Sequence, residues 1–526
     1  MRERDFFTGR SAVVAERGMA ATAHPAATLA ALDVLRAGGN AVDAALAAAA
    51  LLAVVEPQAT GLGGDAFVLL ARDGKPPVGL NGSGRAPAAA TLDWYLERGI
   101  AEIAVESPHA VTVPGAVDAW CALHAAYATR PLDELFAPAI RAAREGFVVQ
   151  PRVAYDWGRL APKLAGDPVT ASRYLPAGRA PAAGERVALP ELARTLAAIA
   201  RAGRCAFYTG RVAADLVERL RALGGLHTLE DFAANAPGWV EPLAVTYRGH
   251  EVVELPPNGQ GLVAQLMLNV LAGYDLAALG EADRIHLLAE ATKAAYARRD
   301  ALIADPERVA VPVARLLSAG EAERIRSRIR MDRAAPPGEA ARFVHGDTTY
   351  LAVVDRDRTA VSFINSLFSG FGSGITGPTS GVLLHNRAMG FRLEEGHPNA
   401  IAPGKRPLHT IIPALLARDG RSAMAFGVMG GHYQPVGHTQ LVTAVLDDGL
   451  DPQSALALPR SFAVDGELQL EPTVDAAVAA DLAGRGHAVR RLDVPLGGGQ
   501  AIRLDHARGV LIGGSEPRKD GCALGY

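Results

Sequence analysis

A chain of 526 residues, 49% of them hydrophobic and 21% charged, carries ample apolar material for a buried core. With 53 basic against 56 acidic residues its formal charge is -3, which excludes a general attraction to phosphate backbones or anionic lipid, so neither nucleic acid nor a membrane surface is an expected partner. Cys121, Cys205 and Cys522 lie far apart and form no CxxC pair, so neither a disulfide framework nor a zinc site is expected from them. The first residues show no apolar signal region, and the most hydrophobic stretch, 41–55, carries Asp43 and is too short to span a bilayer. The expectation is a soluble, cytoplasmic protein of about three domains or one large α/β unit.

In chain order, His24-Pro25 opens a helical pattern over residues 26–37, stopped by Gly38-Gly39-Asn40. A second helix, 41–54, is apolar almost all round and belongs in the core. The glycine cluster Gly61-Leu62-Gly63-Gly64-Asp65 then turns into a strand, 66–71, which reverses at Asp73-Gly74. Residues 131–340 read as mainly helical, with amphipathic segments at 189–202 and 282–298. Residues 334–339, rich in Ala, Pro and Gly, have linker composition. Beyond them strands are predicted at 349–354, 359–368 and 381–384, the first two joined by a turn at 355–358, and a helix at 474–484.

The junction His345-Gly346-Asp347-Thr348-Thr349-Tyr350 is where chemistry enters. If the chain is cut before Thr348, that residue gains a free α-amine beside its hydroxyl, a base and a nucleophile in one amino acid. Taken alone, the same residues also read as an ordinary strand start after a Gly-Asp turn. Ser366, on the second strand of the hairpin, is placed to hydrogen-bond the Thr348 hydroxyl or to serve as a small buried hydroxyl on backbone. Gly430-Gly431 after an apolar strand offers unobstructed N–H groups for an oxyanion, or a plain turn. Gly372-Ser373-Gly374-Ile375-Thr376-Gly377 has the spacing of a dinucleotide loop, but Pro378 and a strand follow it instead of a helix. His397, His409, His432 and His438 lack a metal-ligand spacing, so neither a metal nor another cofactor is expected.

Ordered motifs extend over nearly the whole length. Gly38-Gly39-Asn40-Ala41-Val42-Asp43, Val54-Val55-Glu56-Pro57, Gly61-Leu62-Gly63-Gly64, Thr112-Val113-Pro114-Gly115, Pro403-Gly404-Lys405-Arg406-Pro407-Leu408 and Gly430-Gly431 occur in sequence. In these the chain resembles the γ-glutamyltransferase family of N-terminal-nucleophile hydrolases. The resemblance implies an α+β fold, the four-layer αββα sandwich, and a precursor that cuts itself between Asp347 and Thr348. Residues 1–347 would form the large subunit and 348–526 the small one, with a dimer of such heterodimers left open. Thr348 would be the nucleophile in processing and turnover, with Ser366 beside it and Gly430 and Gly431 as oxyanion donors. The partner implied is a small-molecule amide substrate.

Departures from the family pattern bear on that substrate. After Gly381-Val382-Leu383-Leu384-His385-Asn386 come Arg387 and Gly390, where the family places groups that hold a glutamyl α-ammonium. Phe368 replaces an Asn, and His409 and Thr410 replace paired serines. Arg85, Arg387, Asn386, His409 and Thr410 are the expected substrate-binding residues, the arginines because a guanidinium fork suits a carboxylate, or else as structural ion pairs. The pattern resembles the family branch that contains oxamate amidohydrolases. Two other readings are a γ-glutamyl hydrolase or transferase that grips the amine differently, and a processed but inactive binding protein.

Overall fold

Alternation along the strands locates the core. In Asp65–Ala71, Phe67, Leu69 and Ala71 enter one apolar cluster and Ala66, Val68 and Leu70 another, because successive side chains of a strand point to opposite faces. Both faces are covered, which is why residues 66–71 of this strand are all apolar. Each of the larger of these side chains, Phe67, Val68, Leu69 and Leu70, contributes about 1.5–3 kcal/mol.

The computed structural model describes residues 9–336 and 346–526. In it the strands Cys522–Gly525, Met19–Thr22, Gly346–Val354, Ala360–Ser369, Asp65–Ala71, Val78–Gly82 and Gly238–Val240 form one antiparallel sheet in that order. A second antiparallel sheet runs Val13–Ala15, Val510–Ser515, Gly498–Asp505, Arg421–Met429, Ala414–Arg418, His250–Glu254 and Leu243–Tyr247. Phe67, Tyr350, Ile364, Leu415, Ala425 and Ile502 fill the space between them. Helices Pro25–Arg36, Ala41–Val55, Ala116–Tyr127 and Leu132–Glu145 cover the outside of the first sheet, and Gly261–Leu271, Glu281–Leu302 and Gln434–Leu446 that of the second. This is the αββα order of layers.

Helix Ala41–Val55 shows how local chemistry serves that order. Asn40 accepts from the Val42 and Asp43 N–H groups while Asp43 accepts from the Asn40 N–H, a reciprocal cap. All fifteen residues are buried, and Thr129 and Arg130 satisfy the remaining Asp43 oxygen positions. No helix among the described residues is long and apolar enough to cross a membrane.

Residues 131–340 are mainly helical where described, as expected, and the hairpin Leu243–Tyr247 and His250–Glu254 adds to the edge of the second sheet while Gly238–Val240 edges the first. Two expectations are corrected. Residues 381–384 form no ladder; Gly381 turns with φ +67° and Leu384 makes an isolated bridge to Gly63, so the chain crosses the sheet end. The last helix begins at Ala476, where the Asp475 side chain caps the Ala477 N–H. Of the linker-like segment, residues 337–339 lie outside the described residues.

Candidate active site

Strand parity sets the nucleophile candidate between the layers. Tyr350, Ala352 and Val354 face the inter-sheet core, while Leu351 and Val353 face the helices. Thr348 shares the inward parity, and Thr349 points outward, where its hydroxyl donates to Glu56 at the end of helix Ala41–Val55, 2.5 Å away. Asp347 pairs with Phe368 but Thr349 with Asn365, so Ser366 and Leu367 together oppose Thr348 in a β-bulge. That bulge brings Ser366 Oγ to 2.9 Å from Thr348 Oγ1. Ser366 Oγ accepts from the Phe368 N–H at 2.8 Å and from Arg387 Nη2 at 3.2 Å. Either hydroxyl of the Thr348–Ser366 pair can donate to the other.

Gly64 makes the close approach possible. A Cβ there would lie 2.4 Å from the Ser366 carbonyl oxygen, so a side chain would push the bulged strand away from its neighbour.

Behind Ser366 stands a fully buried charged network. Arg387 sits over the Phe368 ring, its Cζ 4.3 Å from the centroid, and donates through Nη1 to Thr410 Oγ1 at 2.8 Å. Its Nε is 3.9 Å from Asp65 Oδ2, which also receives His409 Nε2 at 2.9 Å and has His385 Nδ1 at 3.5 Å. Asp65 Oδ1 accepts the N–H groups of Gly84 at 3.1 Å and Gly115 at 2.9 Å. Burial alone would raise the Asp65 carboxyl, but His385, the His409 hydrogen bond and Arg387 hold it at about 2. Burial lowers Arg387 to about 9 against the pull of Asp65, and burial with the Arg387 charge takes His409 down to about 3. At neutral pH the cluster is thus one carboxylate, one guanidinium and two neutral imidazoles.

The second sheet contributes the glycine pair. Strand Arg421–Met429 ends at Gly430, whose φ of +125° is a conformation that side chains disfavour, and a Cβ there would meet Gly497 at 2.8 Å. Gly431 follows at φ +60°, and its carbonyl accepts from Gln260 Nε2 at 3.0 Å. Arg299 Nη1 fixes the other end of that amide by donating to Gln260 Oε1 at 2.9 Å. The His432 ring meets Phe368 edge-on at 6.1 Å, so this turn adjoins the Arg387 network. A cavity of about 440 Å³ opens here, with Gly430, His432, Arg159, Arg490 and Lys519 in its wall.

The structure therefore gathers Thr348, Ser366, Arg387, His409 and Thr410 into one connected set and places Gly430 and Gly431 on the facing sheet. Asn386 lies one step away, exchanging hydrogen bonds with Ser369 at the hairpin end. Arg85 is not brought in; it pairs with exposed Glu307 at 2.8 Å and donates to the Gly404 carbonyl. Only the backbone beside it, at Gly84, reaches Asp65. Replacing Arg85 by Ala is expected to leave KM for a carboxylate substrate within about twofold, since an exposed ion pair is worth about 0–1 kcal/mol; steady-state kinetics checks this. Asp65 and His385 were missed by sequence reasoning. The available signal was an acidic residue at the head of an otherwise apolar strand, a charge that burial must pair.

His397, His409, His432 and His438 do not converge as ligands: His409 holds Asp65, while His438 bridges Glu254 and the Val428 N–H. The glycine loop Gly372–Gly377 opens no helix; Thr376 instead bridges to Leu383.

Two facing antiparallel sheets between helical layers, with a buried threonine hydroxyl near the head of a central strand, define an N-terminal-nucleophile hydrolase. The gamma-glutamyltranspeptidase family model matches residues 27–526, and the chain belongs to that family. It is 38% identical to a glutathione hydrolase-like proenzyme of Bacillus subtilis, covering 98% of this chain and 99% of that protein. It is 35% identical to the oxamate amidohydrolase proenzyme of Klebsiella pneumoniae, over 98% and 100% respectively. The crystal structure of a cephalosporin acylase from Bacillus halodurans superposes with a TM-score of 0.94 at 41% identity, covering 99% of this chain and 97% of that one.

Proposed function

We propose that this chain is a self-processing threonine amidohydrolase whose substrate is a small amide bearing a carboxylate, of the oxamate type. The observation that carries the reading is the buried Arg387 guanidinium, joined through Ser366 to Thr348. Two of its five N–H groups are given to Ser366 and Thr410, and Nε makes no hydrogen bond among the described residues. A planar fork with donors to spare suits a carboxylate close to the attacked amide carbon.

In processing, the Thr348 hydroxyl attacks the Asp347 carbonyl carbon, the peptide nitrogen leaves as the new α-amine, and water hydrolyses the resulting ester. Residues 1–347 and 348–526 become large and small subunits. The released amine, with a reference pKa of about 7.7 to 8.0, takes the hydroxyl proton as Thr348 attacks the substrate amide. Ser366 stabilises the reacting oxygen, and the N–H groups of Gly430 and Gly431 receive the oxyanion. The amine of the substrate departs with a proton, and water releases the acid.

A second reading, hydrolysis or transfer of γ-glutamyl groups, is favoured by the proenzyme relative whose name is glutathione hydrolase-like. A panel of oxamate, glutaryl amides and a γ-glutamyl anilide separates the two. Turnover of the α-amine-free acids with kcat/KM at least about tenfold above the γ-glutamyl compound, a difference of about 1.4 kcal/mol, is the expected result. The reverse order would replace the first reading by the second.

A further inference from the structure

Away from the Thr348 network, three metal-ligand side chains converge beside helix Glu281–Leu302. His286 and Glu290 stand four residues apart on that helix and project from one face. His487 arrives from the loop after helix Ala476–Gly484, 201 positions from His286. One ligand atom of each lies within 4.8 Å of the other two, and all three residues are buried. His286 Nδ1 and His487 Nε2 face each other at 2.8 Å.

The protonation pattern suits coordination. His286 Nε2 lies 2.8 Å from the Arg330 carbonyl oxygen, which can only accept, so Nε2 carries the proton and Nδ1 turns its lone pair toward the cluster. A backbone carbonyl on the far ring nitrogen is the support that orients metal-bound imidazoles. Glu290 supplies a carboxylate, with Oε1 on Lys293 Nζ at 2.7 Å and Oε2 on the Ala335 N–H at 3.2 Å.

We infer that His286, Glu290 and His487 form a binding site for a zinc-like divalent metal ion, through two imidazole nitrogens and one carboxylate oxygen. Bonds of about 2.0–2.1 Å in a tetrahedral arrangement set the two nitrogens about 3.3 Å apart, so the rings part by about half an ångström. The ion takes the place of the proton that His487 Nε2 otherwise donates to His286 Nδ1, and that proton moves to His487 Nδ1, so the neutral ring coordinates through Nε2. Lys293, whose side chain is 20% exposed, yields Glu290 Oε1 and turns outward. The ligands come from both sides of the Asp347–Thr348 bond, and the cluster also holds Arg330 and Ala335 on the approach to it. The site itself does not depend on the proposed activity. In a cut protein it would tie the two subunits together.

The test uses the full-length, tag-free protein after chelator treatment, titrated with Zn2+ by calorimetry and with Co2+ by its visible absorption. One saturable ion per chain, a raised Tm with Zn2+, and affinity at least about tenfold weaker in both His487→Asn and Glu290→Gln are expected. Absence of stoichiometric binding, or binding unchanged in both variants, overturns the site. Should either variant misfold by circular dichroism, Lys293→Met decides. It keeps all three ligands and removes the competing ammonium, so tighter binding supports the site and unchanged affinity overturns it.

Discussion

Thr348→Ala should run as one uncut band on a denaturing gel and lose amide hydrolysis by about 10⁴-fold or more. Without Oγ1 nothing at this position can form the ester that breaks the Asp347–Thr348 peptide, so no α-amine is released and no base is created. The wild-type protein should give two bands, residues 1–347 and 348–526, with Thr at the N-terminus of the smaller. Thr348→Ser keeps the hydroxyl 2.9 Å from Ser366 and should still be cut, more slowly because the rotamer is freer. The Ala and Ser variants together separate loss of the nucleophile from loss of packing, since both remove the methyl group. Cleavage at the same bond in Thr348→Ala would sink the mechanism.

Asp65→Asn is expected to destabilise the protein by about 3–5 kcal/mol, because it leaves the Arg387 guanidinium buried without its countercharge. The carboxamide can still accept from Gly84 and Gly115, but it cannot neutralise Arg387. As Arg387 shifts, Ser366 loses a donor, and displacement of about 1 Å at Thr348 would lower kcat/KM by roughly 10²-fold. The pH dependence distinguishes this account from simple misfolding. The Asp65 carboxyl lies at about 2 when folded, below the ordinary aspartate value of 3.8. A depressed carboxylate stabilises above its unfolded pKa, and that contribution is lost as pH falls through the folded one. The stability gap between wild type and Asp65→Asn, measured by urea unfolding, should therefore be full above about pH 4 and shrink toward pH 2. A gap independent of pH would remove the ionised carboxylate from the explanation.

Much of the first sheet was legible because its signals are local. The apolar run at 66–71, the reversal at Asp355–Arg358 and the caps around Asn40 each lie within a few residues of the element they define. The hairpin register also placed Ser366 near Thr348, although the bulge that completes the approach leaves no mark in residue type. The short strands Leu243–Tyr247 and His250–Glu254 were hidden among helices, since five residues each are too few to show a period against the long amphipathic segments around them. Gly381–Leu384 misled in the opposite sense: its composition suits a strand, yet no neighbour offers it a ladder.

By itself the sequence determined the family, because its ordered motifs are contiguous, and through that resemblance it implied the layered fold; the hairpin pattern and the glycine turn supplied the candidate Thr348–Ser366 and Gly430–Gly431 pairs. Only the tertiary structure decided which charges meet. Asp65, the neighbouring His385 and Arg387, and His409 come from three separate segments, and they assemble because strand Asp65–Ala71 pairs with Ala360–Ser369 and the following loops fold back across that sheet end. The same packing turned Arg85 outward to Glu307 and joined His286 to His487. A buried charge selects its partner by proximity in space, and sequence spacing carries no record of a distance closed by the fold.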